Sequence, residues 1–234
     1  MKINARDFFK AKWIYRCHRL RSKFGTTPTV EVLFQNMVQN GVQALGLSVP
    51  PLYPRGGAAN YSLLYAILRI ATELPIKRVL EIGAGQSTLL LNSIARARGL
   101  EIVTLETDSN WASRIQAAVD HKVHFVKREP AVVHGHSTEN IVLPADVEGK
   151  FDLIIVDGPI GSRRRSRWTA LSALDKLLND DFVVVFDDAG RVGEQDTAKE
   201  FLTSRDEQLF VHFILGEKAQ CLISTAKFRE VAYF

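Results

Sequence analysis

From Pro75 to Ser224 the chain alternates between short apolar runs and stretches of helical periodicity, and this alternation narrows its fold more than any other feature. The runs are Arg78–Ile82, Ile102–Leu105, Val123–Val126, Leu153–Val156, Phe182–Phe186, Phe210–Leu215 and Cys221–Ser224. Between them, Thr88–Ala97, Trp111–Val119, Trp168–Leu178 and Glu194–Leu202 repeat apolar residues at the spacing that lines one helix face. Strands followed by helices pair in parallel, because each helix returns the chain across a sheet face. Only Gly216–Gln220 separates the last two runs, too few residues for a crossover, so these two pair antiparallel. The expectation is a doubly wound α/β fold: a seven-stranded, mostly parallel sheet with an antiparallel last strand.

Upstream, residues 1–24 read as a basic amphipathic helix with Phe9, Trp13, Cys17, Leu20 and Phe24 on one face. Gly25 and Pro28 punctuate the chain, and Val30–Leu45 is a weaker helix. The Pro/Gly-rich connector Val49–Gly57 divides an N-terminal helical extension, 1–57, from the sheet domain, 58–234. Tyr61–Leu74 is a strong helix with Leu64, Ile67, Leu68 and Ala71 on one side.

The first 24 residues hold eight Lys/Arg against one acid, Asp7, leaving 22 basic and 25 acidic residues of the totals of 30 and 26. The formal net charge of +4 is thus a property of the tail, and a general nucleic-acid surface does not follow from it. The basic helix would dock on the body, contact a second copy in a homo-oligomer, or lie on an anionic membrane with Phe9 and Trp13 inserted. No apolar run approaches the roughly 20 residues that span a bilayer, and the N-terminus lacks the apolar stretch of a secretory signal. Two cysteines, Cys17 and Cys221, have no metal-type spacing. A cytoplasmic protein, at most peripheral at the membrane, is expected.

The chemistry concentrates at strand ends. Val79–Thr88 runs from an apolar strand through Gly83-Ala84-Gly85 into a helix, where glycines admit close ligand approach and the helix N-terminus offers unpaired N–H groups. The next strand ends on Glu106, placed to accept from a ribose diol, and Trp111 follows five residues later, to pack against an adenine or in the core at a helix start. Thr88 stands where a third glycine would complete a pyrophosphate-binding turn, which suits a ligand without phosphates.

V-L-E-I-G-A-G at Val79–Gly85, the acid Glu106, and F-D-L-I-I-V-D-G at Phe151–Gly158 resemble the class I S-adenosylmethionine-dependent methyltransferases over roughly Tyr61 to Thr225. The resemblance implies strand order 3-2-1-4-5-7-6 with the seventh strand antiparallel. It implies that Glu81 anchors the methionine amine through the motif network, that Gly83 and Gly85 line the cofactor with Ala84, Ser87 and Thr88 in the same segment, and that Glu106 holds the ribose hydroxyls.

Acceptor chemistry in open α/β sheets lies beyond the C-terminal strand ends. There Asp157 follows the fourth strand, and Asp187 and Asp188 the fifth. Three such carboxylates would hold Mg²⁺ or another divalent cation, which would orient an acceptor hydroxyl and lower its pKa. The trio resembles that of the catechol-type O-methyltransferases in part, since Asp188 stands for their Asn and Ile160 for their lysine. Asp157 and Asp188 are the catalytic candidates, and Asp157 is also a candidate contact for the cofactor. The alternative for the trio is strand-end capping. His134 and His136 are loose candidates for a base, and surface histidines otherwise.

Arg163, Arg165 and Arg167, with Arg164, sit near the same sheet edge and would suit an anionic acceptor. The alternative is a solvated basic loop. The expected activity is O-methylation of a small-molecule or glycan hydroxyl, with divalent-metal assistance as an open part. The rivals are a nucleic-acid methyltransferase, which the Asp157-Gly158-Pro159 segment disfavours, an aminopropyltransferase, and a non-catalytic module.

Overall fold

Central strands apolar on both sides need cover on both faces, and helices supply it here. In the computed structural model, residues 5–24, 27–54 and 58–234 are described. Lys2, the break at Gly25 and the end of the connector at 55–57 lie outside them. The chain runs α1 (Ala5–Phe24), α2 (Thr29–Ala44), α3 (Tyr61–Glu73), β1 (Arg78–Ile82), α4 (Gln86–Arg98), β2 (Glu101–Glu106), α5 (Ser109–Gln116) and β3 (Val123–Phe125). It continues through β4 (Arg128–Val133), β5 (His136–Ile141), β6 (Phe151–Val156), α6 (Thr169–Leu177), β7 (Leu178–Phe186) and α7 (Val192–Thr203). It closes with β8 (Phe210–Leu215), β9 (Ala219–Ser224) and a 3₁₀ segment, Ala226–Tyr233.

The seven-stranded sheet has the order β3-β2-β1-β6-β7-β9-β8, and β9 is antiparallel to both neighbours. Setting aside the hairpin β4–β5, which pairs only with itself, this is the expected 3-2-1-4-5-7-6 order. That hairpin has no counterpart in the sequence reading. Val132 is exposed and β5 buries only Thr138 and Ile141, so no alternating apolar trace marks the pair, and the strands turn through His134 and Gly135 at φ 48° and 75°.

Side chains alternate across the sheet. Leu80, Ile82, Ile154, Val156, Val184 and Phe186 join one core with Leu174 of α6 and Phe201 of α7. Val79, Leu153, Ile155, Val183 and Val185 join the other with Ile67 of α3 and Leu90 of α4. The extension 1–57 belongs to the same packing: Phe8 and Ala11 of α1 enter the first core and Val38 of α2 the second. Glu31 of α2 is buried and accepts from the Ser62 N–H (3.0 Å) and the Glu217 N–H (2.8 Å), tying α2 to α3 and to the β8–β9 turn.

Of the three placements open to the apolar stripe of α1, docking on the body is not the one seen, since the stripe points outward. The Phe8 ring packs edge to face with Phe213 at 5.0 Å, and the Gln195 amide donates to the Phe8 carbonyl at 2.9 Å. Gly190 lies under the helix, where a Cβ would sit 2.5 Å from the Ala11 carbonyl. Phe9, Trp13, Leu20 and Phe24 are exposed, and Cys17 is half-buried. Periodicity located the helix but not its docking face, because two faces carry aromatic residues. Among the described residues no helix is long and apolar enough to cross a membrane.

Candidate active site

The turn after β1 contains two glycines with different tasks. Gly83 has φ 103°, and a Cβ there would lie 2.7 Å from the Gly158 nitrogen, so its role is to let the loops after β1 and β6 touch backbone to backbone. Gly85 is extended, and a Cβ there would meet nothing within 4 Å. It instead faces a cavity of about 870 Å³, so its missing side chain leaves room for a ligand.

The rest of the turn is held from both sides. Glu106 accepts from the Ala84 N–H at 2.9 Å with one carboxylate oxygen and from the Asp108 N–H at 2.8 Å with the other, while still lining the cavity. The Trp111 indole N–H donates to the Ala84 carbonyl at 2.8 Å, setting its half-exposed ring on the cavity wall. Glu81, Ser87 and Thr88 are buried and lie outside that wall. Glu81 accepts from the hydroxyls of Thr88 (2.7 Å) and Thr104 (3.0 Å), and Thr88 in turn accepts from the Gly85 N–H (2.8 Å). Glu81 therefore braces the turn from behind, through the hydroxyl of Thr88. Burial pushes its carboxyl up to about 7 against those hydrogen bonds.

At the other end of the cavity the three aspartates converge, with one oxygen from each within 4.8 Å of the others. They do not converge alone. Arg167 reaches Asp188 at 3.2 Å and Asp157 at 3.6 Å, and Arg191 reaches Asp188 at 2.6 Å and buried Glu194 at 2.7 Å. Lys218 lies 3.7 Å from Asp187 and 3.8 Å from Asp188. Arg167 is anchored by carbonyls as well, donating to Pro159 at 3.0 Å and Val156 at 3.2 Å.

A divalent cation does not fit this donor set. Four acids already face three fixed cations, and a further double charge would meet three like-charged neighbours it has no means to displace. Asp187 is fully buried off the cavity wall and accepts from the Gln220 amide at 2.8 Å. The three aspartates put forward for a metal are thus brought together, but with protein cations as their partners, and Asp188 is paired with Arg167 and Arg191.

The three aspartates divide the charge unequally. Burial and the Asp187 charge hold the Asp157 carboxyl well above the usual carboxylate range, with Arg167 and Lys218 opposing. Burial also pushes on Asp187, but Lys218, the Gln220 amide and Arg167 outweigh it and hold that carboxyl low. Asp157 is therefore the group in the cluster that accepts a proton most readily, and it lines the cavity.

Of the expected acceptor arginines, only Arg167 lines the cavity, and its charge is engaged by the acids. Arg163 is exposed away from it; Arg165 pairs with Glu200 at 3.5 Å and stacks on Trp168, and Arg164 pairs with Asp196 at 2.6 Å. This arginine loop precedes α6 and is drawn onto the acids of α7. His134 and His136 do not line the cavity either. The residues that sequence reasoning missed are Arg191, Lys218, Arg128 and, from α1, Tyr15, His18 and Arg19. Arg191, three residues past Asp188, carried a faint signal; the others come from remote parts of the chain.

Residues 80–189, from β1 to the loop after β7, match the model of a family described as a methyltransferase domain. The match spans just under half of the chain. Its sheet order and first turn are those expected of the class I, S-adenosylmethionine-dependent methyltransferase fold. Its fold is similar to a structure described as a caffeoyl-CoA O-methyltransferase from Staphylococcus aureus, with TM-score 0.51 and 14% identity over 93% of this chain and 100% of that one. A SAH-bound methyltransferase of Podospora anserina aligns at TM-score 0.48 and 19% identity, over 95% of this chain and 97% of that one. No curated protein matches the sequence.

The methyltransferase turn fits S-adenosylmethionine on its own chemistry. Gly85 opens space into the cavity, Glu106 keeps lone pairs for hydroxyls beyond the N–H groups it already accepts, and Trp111 offers a flat apolar surface. None of these three is a phosphate-binding cation.

Proposed function

We propose that this methyltransferase transfers a methyl group to a hydroxyl of an anionic small molecule or glycan, and does so without a divalent metal. The observation that carries this reading is one continuous cavity, lined both by the glycine turn and Glu106 and by Asp157, Arg191, Lys218, Tyr15, His18 and Arg19. Its volume, about 870 Å³, lies in the upper part of the range for small-molecule sites and leaves room for two ligands.

S-adenosylmethionine supplies, when bound, an activated methyl group for a single displacement. Glu106 and the Gly83–Gly85 backbone hold and orient it. The Asp157 carboxylate takes the proton from the acceptor hydroxyl, a task to which a raised pKa suits it. Arg19, at the cavity wall formed by α1, draws an anionic group of the acceptor into the cavity, while Arg191 and Lys218 stay paired with the acids. Enclosure by α1 restricts water at the reacting centre.

The test is cofactor turnover across phosphorylated or carboxylated sugars and phenols, each paired with its neutral counterpart. Anionic members are expected to show at least tenfold higher kcat/KM, and Arg19→Met to erase that preference mainly through KM. Equal turnover of neutral and anionic acceptors would refute the acceptor class. Absence of S-adenosylmethionine binding in calorimetry would refute catalysis altogether.

A further inference from the structure

We infer that the outer face of α1 is a seat for an anionic lipid bilayer, which brings the acceptor end of the cavity to the membrane surface. The inner face of this helix is accounted for: Phe8 and Ala11 enter the core, and Tyr15, His18 and Arg19 line the cavity. The outer face has no partner among the described residues. Phe9, Trp13, Leu20 and Phe24 are between 58% and 78% exposed, although a helix already docked by its other side has no packing need for four large apolar residues.

Their arrangement points to the occupant. Advancing about 100° per residue, the four side chains fall within a sector of about 60°, opposite Phe8, Ala11 and His18. Exposed Lys12, Arg16 and Lys23 flank that sector on one side and Lys10 lies on the other. The one acid on the helix, Asp7, is paired to Lys10 at 3.2 Å. A strip of aromatic and aliphatic side chains bordered by lysine and arginine matches an interface of acyl chains beneath anionic headgroups. A second copy would bring two such cationic borders together, and a nucleic acid would take the charges but leave the four apolar side chains uncovered.

This seat deepens the proposed function, in that acceptors carried on lipid or held at its surface would face the cavity. Its test needs neither cofactor nor acceptor, so the two readings fail separately. The full chain is sedimented with phosphatidylserine-containing vesicles and with pure phosphatidylcholine vesicles. Binding is expected to anionic vesicles only and to fall steeply as salt is raised. The double variant Trp13→Glu with Leu20→Glu, and separately the charge variant Lys12→Glu with Arg16→Glu and Lys23→Glu, are expected to bind at least tenfold more weakly. All these positions are exposed, so circular dichroism should show unchanged folding. No anionic-vesicle binding at low salt overturns the inference, as does binding that both variants retain. A concentration-dependent dimer in ultracentrifugation that the Trp13/Leu20 variant dissolves would replace the bilayer with a second copy.

Discussion

Gly83 and Gly85 are two residues apart and identical in chemistry, yet substitution should separate folding from binding. Gly83→Ala places a Cβ against the Gly158 backbone at a left-handed φ, and should lower stability by at least about 1 kcal/mol in a denaturant titration. Gly85→Val meets no protein atom, so stability should hold while S-adenosylmethionine affinity drops at least tenfold, about 1.4 kcal/mol, by calorimetry. Glu81 offers a pH signature. Its folded-state pKa of about 7 lies above the ordinary 4.5, so the native state binds a proton that the unfolded chain has already lost between those values. Stability from this group is therefore greatest below about 4.5 and declines until pH passes about 7. Melting temperatures across that window should fall less in Glu81→Gln than in the parent protein. Arg167 is buried among acids, so Arg167→Met should cost about 3–5 kcal/mol by stranding Asp157 and Asp188.

Among the elements, α1 does the most that its local sequence does not announce. It buries Phe8 and Ala11, covers Gly190 beside the acidic cluster, and lends three residues to the cavity wall. Phe8→Ala removes a ring packed on Phe213 and should cost about 3 kcal/mol, near the low end for a buried aromatic because this core lies at the sheet edge. Because α1 walls the cavity, the same change should raise the acceptor KM while leaving cofactor affinity within about twofold, a split that steady-state kinetics and calorimetry read together. The arginine loop before α6 shows the opposite case. A conspicuous cluster in sequence proves to be a set of ion pairs with α7, and Arg163→Ala should leave turnover unchanged.

For the whole molecule, the cavity joins two ends with different electrostatics. The cofactor end is lined by Glu106, Trp111 and backbone, and the acceptor end by Asp157, Asp188, Arg167, Arg191 and Lys218, with Asp187 and Glu194 buried behind them in the same charge cluster. With every group ionised this cluster carries one excess negative charge, and protonation of Asp157 balances it. Exhaustive chelation should therefore leave turnover unchanged, and loss of activity restored by Mg²⁺ would overturn the metal-free reading. Since Asp157 must be deprotonated to act and its pKa is raised, kcat/KM should climb with pH through a range above that of an ordinary aspartate. Asp157→Asn should flatten that limb and cut kcat far more than it weakens cofactor binding.

The sheet, its order and its antiparallel last strand were legible in the sequence because parallel pairing leaves long apolar runs and short connections restrict topology. The cofactor turn was legible for a similar reason: Gly83, Gly85 and Glu106 act within β1, β2 and the turn between β1 and α4, where the relevant distances are set by backbone geometry. The acceptor end was not. Lys218 reaches Asp187 and Asp188 only because β9 inserts beside β7, and Tyr15, His18 and Arg19 reach the cavity only because α1 docks by one of its two aromatic faces. Three aspartates at strand ends look alike in sequence whether cations of the protein or a metal ion balance them. Which it is depends on side chains as far apart in the chain as Asp157 and Lys218, and only tertiary packing brings those together.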